Sequence, residues 1–498
     1  MTLPIPLVPH KDIFKVIRNS TSSDQQIYLV GGAVRDVFLK KTTHDLDFTL
    51  TTNAIEICRE VANKINGAFY ILDEKRKTAR IVLENKDGSR QHLDFATLRG
   101  NSINEDLLGR DYTINAMALS IYNFNELIDP LKGLSDLNER KLRACSKDSI
   151  NEDPVRILRA ARLSVAFNLF IEPETKKLIT GSINNLTEVS QERIRDEIFR
   201  ILNGPKPGTA FNILDRMGVL DTILPEIQSM TERNTESPNI GKILTSKFSA
   251  LTQLKNILQV LSIIYDPETA MNWVYGYISI RLGRYRQKIH THFLSHSNTE
   301  RTRQSLLLFT SLFCKSGETR KNWSEGYRNS TKEYVHSNTG IIACFRAKEL
   351  RLSNTEINAI STILNYFNEP YILSKTKKPP TDLEIYHFFK SSNSLGIDIC
   401  LISLAHTIAQ FGYSMPKDIW INLVNTIQIL FESWWFNRDE KISPKPLING
   451  DNLLSVLKLN PGPIIGEILE AVKEAQVIGE VSTSDEALDF ARSWLLEN

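Results

Sequence analysis

Residues 27–50, IYLVGGAVRDVFLKKTTHDLDFTL, decide the fold. IYLV is an apolar run of the kind that makes a short buried strand. Gly31 and Gly32 follow at once, where a backbone must turn or come close to a ligand. AVRDVFL has Ala33, Val34, Val37 and Phe38 at helical spacing and predicts an amphipathic helix. HDLDFTL alternates acids with apolar residues, so it predicts a strand with Leu46 packed inward and Asp45 and Asp47 side by side on the other face. Two adjacent carboxylates repel unless a cation lies between them. Mg2+, held by one or two carboxylates together with substrate phosphates, is the usual answer. A lone D-x-D is common on solvated strand ends, and a lone Gly-Gly is usually a turn. Strand, Gly-Gly, helix and D-x-D within one short stretch point to a metal and phosphate site.

Composition bounds the rest. A chain of 498 residues has room for three or four domains. At 41% hydrophobic and 24% charged it can bury a large core. The net charge of +2 announces no global basic surface, so any nucleic-acid contact must come from local placement. The five cysteines, Cys58, Cys145, Cys314, Cys344 and Cys400, are scattered and form no C-x-x-C. That pattern disfavours a disulfide framework and a zinc site, and it fits a reducing cytoplasm. No run of eighteen apolar residues and no signal-peptide shape stand out, so no membrane association is expected.

Along the chain, HKDIFKVIRNS reads as a first helix and NAIEICREVANKI as an amphipathic helix after an Asn cap. AFYILDE, ARIVLEN and RQHLDFA read as strands, with a turn at NKDGS. Asp94, between Leu93 and Phe95, is a candidate third carboxylate. A solvated strand-end acid is an equal reading of it. Ser102 with Glu105 resembles a capping box. Arg110 and Asp111 precede YTINAMAL, which fits helix or strand, and a turn surrounds Asp129, Pro130 and Gly133. DSINEDPVRILRAARLSVAF predicts one helix with Pro154 in its first turn, so that Asp153 and Arg156 share a face. Taken alone, that pair is an ordinary ion pair at a helix start.

From about residue 205 to 440 the pattern is helical, with loops expected near 230–242, 315–337 and 374–380. His290, His292 and His296 lie in a basic, aromatic segment without an acid at ligand spacing, which favours a surface or RNA-facing role over a metal site. In the tail, NPGPIIG is a turn leading into a helix whose first amides offer a phosphate site or simply end the turn.

Taken together, these segments resemble the class II tRNA nucleotidyltransferase and bacterial poly(A) polymerase family. LVGGAVRD with HDLDF is similar to its metal-binding motif, GRDYTINAMA to its sugar-reading motif, DPLKGLSDL to its linker, EDPVRILRAARL to its nucleotide-selecting motif and ERIRDEIFRIL to its last motif. INGDNLL with PGPIIGEILEAVKEAQ is similar to the family's C-terminal segment. The sugar-reading motif usually carries two arginines, and Gly109 replaces the first here. The resemblance implies an α+β fold: a nucleotidyltransferase head over residues 1–145 with a small mixed sheet, a helical nucleotide-selecting neck over 146–225, a helical tRNA-binding body over 226–440 and a helical tail over 441–498.

It also implies residue roles. Asp45 and Asp47 would hold Mg2+, with Asp94 as a further catalytic acid. Gly31, Gly32, Arg35, Arg110, Asp111 and Asn115 would seat the triphosphate and ribose, with Asp111 on the 2′-hydroxyl. Arg159 and Arg162 would also face the nucleotide. Asp153 and Arg156 would read the base: a carboxylate accepts from an exocyclic amine and a guanidinium donates to a ring nitrogen, which suits C and A and rejects U and G. Expected substrates are the tRNA 3′ acceptor end, CTP and ATP. Arg281, Arg284, Arg286 and Lys288 are candidate RNA contacts. LRGNSINEDLL leaves little room for the long loop that complete CCA-adding members carry, so CC addition is favoured over CCA addition. The basic tail usual in poly(A) polymerases is missing from the ending EALDFARSWLLEN. A non-catalytic RNA-binding protein would have lost the costly carboxylate pair.

Overall fold

The alternation in LDFTL is that of a strand with one face in a core, and the chain folds accordingly. A computed structural model describes residues 3–22, 25–43, 45–84, 90–229, 247–265, 267–294, 301–314, 338–376 and 378–497. The turn expected at NKDGS and the loops expected at 230–242 and 315–337 lie outside the described residues. The chain forms two compact units, one of Met1–Arg193 with Ile213–Ile223, the other of Ile194–Asn212 with Leu224–Asn498.

The first unit carries a sheet of seven strands: β1 (Ile27–Val30), β2 (Leu46–Leu50), β3 (Ala68–Asp73), β4 (Thr78–Glu84), β5 (Arg90–Thr97), β6 (Ala118–Ser120) and β7 (Asn123–Ile128). Their order is β3-β4-β5-β2-β1-β6-β7. β2 and β5 run parallel, whereas the other neighbours are antiparallel. Leu46, Phe48 and Leu50 point into a core completed by Phe14 of α1 (Lys11–Asn19), Val34 of α2 (Gly32–Phe38) and Val61 of α3 (Ala54–Ile65). Phe48 and Phe95 stack at 5.0 Å between ring centres. Burying one such side chain contributes about 1.5–3 kcal/mol. Asp47 and Thr49 take the opposite face, as period-two alternation requires.

YTINAMAL is neither a helix nor one long strand: a 3-10 turn over Thr113–Asn115 leads into β6. The stretch from 148 to 167 is also not one helix. α4 (Ile103–Leu108) and α5 (Gly133–Asn138) are followed by α6 (Ser149–Glu152) and α7 (Arg156–Phe167), with Asp153 extended between the last two at φ −148° and ψ 87°. The cause is Pro154, whose ring disfavours helical backbone at the residue before it. Ser102 caps α4 by accepting from the Glu105 amide, but the Glu105 carboxylate accepts from the Asn101 amide, so the expected box is half formed. α8 (Pro173–Gly181) and α9 (Gln191–Asn203) continue the chain.

Every element the structure assigns between Ile194 and Glu497 is helical. In the second unit, Trp420 is fully buried and donates to the Val274 carbonyl at 3.1 Å. The run Asp382–Phe411 reaches a mean hydropathy of 1.4, enough in length and composition to cross a membrane. It is nonetheless two helices, Asp382–Ser392 and Gly396–Phe411, and 72% of its apolar window is buried inside the protein. His292 corrects the expectation of a surface or RNA-facing histidine: it is buried at 2.8 Å from Asp398, which Arg303 also contacts. The acid comes from a helix distant in sequence, so local spacing could not show it. His290 is exposed, and His296 lies outside the described residues.

Candidate active site

Strand register assembles the acids. Val30, Asp47, Asp94 and Arg80 lie in one row across β1, β2, β5 and β4. Asp94 is therefore the direct neighbour of Asp47 on the same face. It is a mid-strand acid, bound by Arg80 through two hydrogen bonds of 2.7 and 2.8 Å. Asp45 lies just before the strand, where its charge also acts on Asp47. β2 starts at Leu46, and the Asp45 carboxylate, 66% exposed, accepts from the His92 amide at 3.0 Å. The carboxylate that most strongly perturbs Asp47 is thus Asp94. Burial pushes the Asp47 carboxyl up to about 6, and the charge of Asp94 adds to this more than that of Asp45 does, while Arg110 opposes it.

Gly31 is tied to this acid by space as well as by turn geometry. Its φ is +72°, and a side chain there would begin 3.2 Å from Asp47 Oδ2 and 3.3 Å from Arg110 Nη1. The glycine lets the backbone run between an acid and a base of the site. Arg110 is aimed by Asp106, whose buried carboxylate accepts from Nε at 3.1 Å and Nη2 at 3.0 Å, and by Thr49 at 3.2 Å. Gly32 opens α2 immediately beyond.

Arg35, Asn115, Asp111 and Arg159 form a continuous chain of hydrogen bonds. Arg35 Nη1 donates to Asn115 Oδ1 at 2.6 Å, Asn115 donates to Asp111 at 3.3 Å, and Arg159 Nη1 donates to Asp111 Oδ2 at 3.0 Å. Burial alone would raise the Asp111 carboxyl, yet Arg159, the Tyr112 amide and Asn115 together hold it below the usual carboxylate range. The Arg35 guanidinium also pairs with Asp36 at 2.9 Å and lies 4.0 Å from the centre of the Phe167 ring. Arg162, on α7 with Arg159, is close enough for its charge to oppose that of Arg35. The fully buried Tyr112 fastens the turn to α7 through a hydrogen bond of 2.7 Å to the Arg156 carbonyl.

Asp153 and Arg156 do not share a helix face, because only Arg156 is in the helix. Their closest approach is 3.9 Å, from Arg156 Nε to Asp153 Oδ2. Both Asp153 oxygens accept from Arg193, at 2.9 and 2.8 Å. The Arg156 Nη groups donate to the carbonyls of Gly109, Arg110 and Ser149 at 2.9–3.0 Å, while its buried Nε has no hydrogen-bond partner among the described residues.

The basic positions proposed for RNA are engaged within the second unit. Arg281 donates to Asn425 at 3.1 and 2.9 Å, Arg284 pairs with Glu432 at 3.0 Å, and Arg286 donates to the Val260 carbonyl at 3.2 Å and to Ser279 at 2.7 Å. Lys288 lies 4.8 Å from the Phe436 ring centre. Packing partners invisible in the local pattern claim these charges. Sequence reading also passed over Arg80, Asp106, Thr49 and Arg193. The i,i+4 spacing of Asp106 and Arg110 was the one local signal.

The donor set suits a hard cation, since all three acids offer oxygen. No group donates a hydrogen bond to the Asp47 carboxylate among the described residues, which leaves its lone pairs for an ion. Among those residues no three His, Cys, Asp or Glu side chains close a metal cage. An ion that keeps waters and takes substrate phosphates as ligands needs none.

Residues 27–143 match the model of the poly(A) polymerase head domain, residues 168–231 that of the RNA and SrmB binding site of polymerase A, and residues 346–491 that of tRNA nucleotidyltransferase domain 2. A CC-adding tRNA nucleotidyltransferase of Geobacter sulfurreducens is 42% identical over 36% of this chain and 40% of its own length. A CC-adding enzyme of Synechocystis sp. is 26% identical over 94% of this chain and 93% of its own. An A-adding enzyme of Deinococcus radiodurans is 27% identical over 94% and 95%. A CCA-adding enzyme in complex with ATP has the same fold, with a TM-score of 0.62 at 20% identity over 98% of each chain.

Proposed function

The chain belongs to the class II tRNA nucleotidyltransferase and bacterial poly(A) polymerase family, and we propose that it matures tRNA 3′ ends by adding CC without a template. The carrying observation is the row Asp47, Asp94 and Arg80 beside Arg110, which puts carboxylates and guanidinium groups on one face of one sheet. Asp45 and Asp47, with Asp94 beside them, would hold the divalent cation, Mg2+ in this reading. When bound it supplies neutralisation of phosphate charge and activation of the 3′-hydroxyl. Arg110 and Arg35 bind and orient the triphosphate. Asp111, kept ionised by Arg159, accepts from the ribose 2′-hydroxyl and so favours ribonucleotides.

Asp153 and Arg156 select C or A. Both Asp153 oxygens already accept from Arg193, but a carboxylate offers about four acceptor sites, so about two remain, enough for an exocyclic amine. Arg156, whose guanidinium lies 3.9 Å from Asp153, would supply the donor for a ring nitrogen. The choice of CC rests on the segment before Arg110. Ser102 caps it, α4 fills it and Asp106 anchors it, which leaves little free loop to reset the pocket from C to A. The four-part division into head, neck, body and tail belongs to the same reading, as does a cytoplasmic location, which the buried free cysteines suit.

Incubating the full chain with tRNA lacking its CCA end, Mg2+ and all four NTPs tests this. The expected product ends in CC. A CCA end would make it a complete CCA-adding enzyme, a run of A a poly(A) polymerase, and no extension a binding protein.

A further inference from the structure

The carbonyl of Gly109 accepts from two guanidinium groups, Arg156 Nη2 at 3.0 Å and Arg99 Nη1 at 3.2 Å. The next residue, Arg110, brings a third cation to the same turn. Asp153 lies 3.9 Å from Arg156, and a single carboxylate serves the other two. Asp106 accepts both Arg110 contacts with Oδ2 and the Arg99 backbone amide with Oδ1 at 3.1 Å. The Arg99 side chain itself forms no ion pair among the described residues, and it is exposed. Burial disfavours its charged form, the Asp106 carboxylate opposes this, and the charges of Arg110, Arg156 and Arg76 add to the burial effect. Like charges gathered at one turn repel each other, and an anion between them relieves the cost. The same crowd adjoins Asp47 through Arg110, where phosphates of a bound nucleotide would lie.

We propose that Arg99 is a phosphate-binding residue which, with Arg110, holds the triphosphate of the incoming nucleotide, a role that rests on the nucleotidyl-transfer reading. The turn has room for a substitute. A side chain at position 109 would start 3.7 Å from the Asp106 carbonyl and 3.9 Å from Arg99 Cδ, ordinary contact distances. An arginine introduced at 109 would therefore enter the space that Arg99 fills.

The test is calorimetric titration of the full chain with CTP and with CMP in Mg2+, alongside tRNA binding and nucleotide transfer. Arg99→Ala is expected to weaken CTP about tenfold while leaving CMP and tRNA affinity unchanged, because a charged hydrogen bond to phosphate is lost. Arg99→Gln keeps a donor for the Gly109 carbonyl without the charge and should lose CTP to a similar degree, which covers a failure of the alanine variant to fold. The double variant Arg99→Ala with Gly109→Arg should recover most of the CTP affinity. Unchanged CTP affinity in both single variants overturns the assignment, as does an equal loss of CTP and CMP, or a loss confined to tRNA. A wild type that binds CTP through Arg99 yet transfers no nucleotide would overturn the enzymatic reading and leave this one standing.

Discussion

Asp47 and Asp94 are register partners on neighbouring parallel strands, so two carboxylates nearly fifty residues apart in sequence share one face of the sheet. Arg80 hydrogen-bonds Asp94 through both of its oxygens. The Asp47 carboxyl is raised to about 6, first by burial and then by the charge of Asp94. Asp47→Asn should abolish transfer, on the order of 1,000-fold or more, because the charge that would hold the cation is gone. Mg2+ should raise the melting temperature of the wild type and not that of the variant. Equal stabilisation of both would place the ion elsewhere.

Gly31→Ala should damage fold and activity together. The backbone is at φ +72°, and the new methyl group would press on Asp47 and Arg110. A cost of about 1–3 kcal/mol is expected, read as a lower denaturation midpoint. Gly218, also at positive φ but with nothing closer than 4.0 Å, is the control, and its alanine variant should keep full activity.

Asp153→Ala should admit U or G, with discrimination falling about tenfold or more. Arg156→Ala should lose selectivity and also stability, since the Arg110 and Ser149 carbonyls lose this donor and the Gly109 carbonyl keeps only Arg99. Product sequencing with single NTPs separates the two effects. Unchanged discrimination in Asp153→Ala would remove this residue from base reading.

The buried Asp398 sets a pH dependence. Burial alone would raise its carboxyl, but His292 and Arg303 hold it below its unfolded value of 3.8. Its stabilising contribution is therefore present above that pH and lost as pH falls through the lower, folded value. Asp398→Asn should cost about 3–5 kcal/mol near neutrality, and its stability should fall less steeply than the wild type's below that unfolded value.

Arg281→Ala and Arg286→Ala should leave tRNA affinity within about twofold while lowering stability by roughly 1 kcal/mol each, since their hydrogen bonds are internal. Filter binding and thermal melting check this. A large loss of tRNA affinity with unchanged melting would restore them as RNA contacts.

Much of the head was legible locally. Strand alternation placed Leu46 and Phe48 inward and Asp47 outward, and helical spacing found α2 and α3, because both patterns depend only on near neighbours. The break at Asp153 was also written locally, in Pro154, but the apolar periodicity on either side outweighed it. What local pattern did not show is partners distant in sequence: Asp398 for His292, Asn425 for Arg281 and Arg193 for Asp153.

By itself, then, the sequence determined the residue types, the strand that offers Asp47 and the turn that needs Gly31. Only the tertiary structure decided which acid stands beside Asp47, since interstrand register put Asp94 there and the strand start turned Asp45 toward His92. Charge at one position is a property of the chain. Its partner, and so its chemistry, depends on which distant segments the packing brings within a few ångströms.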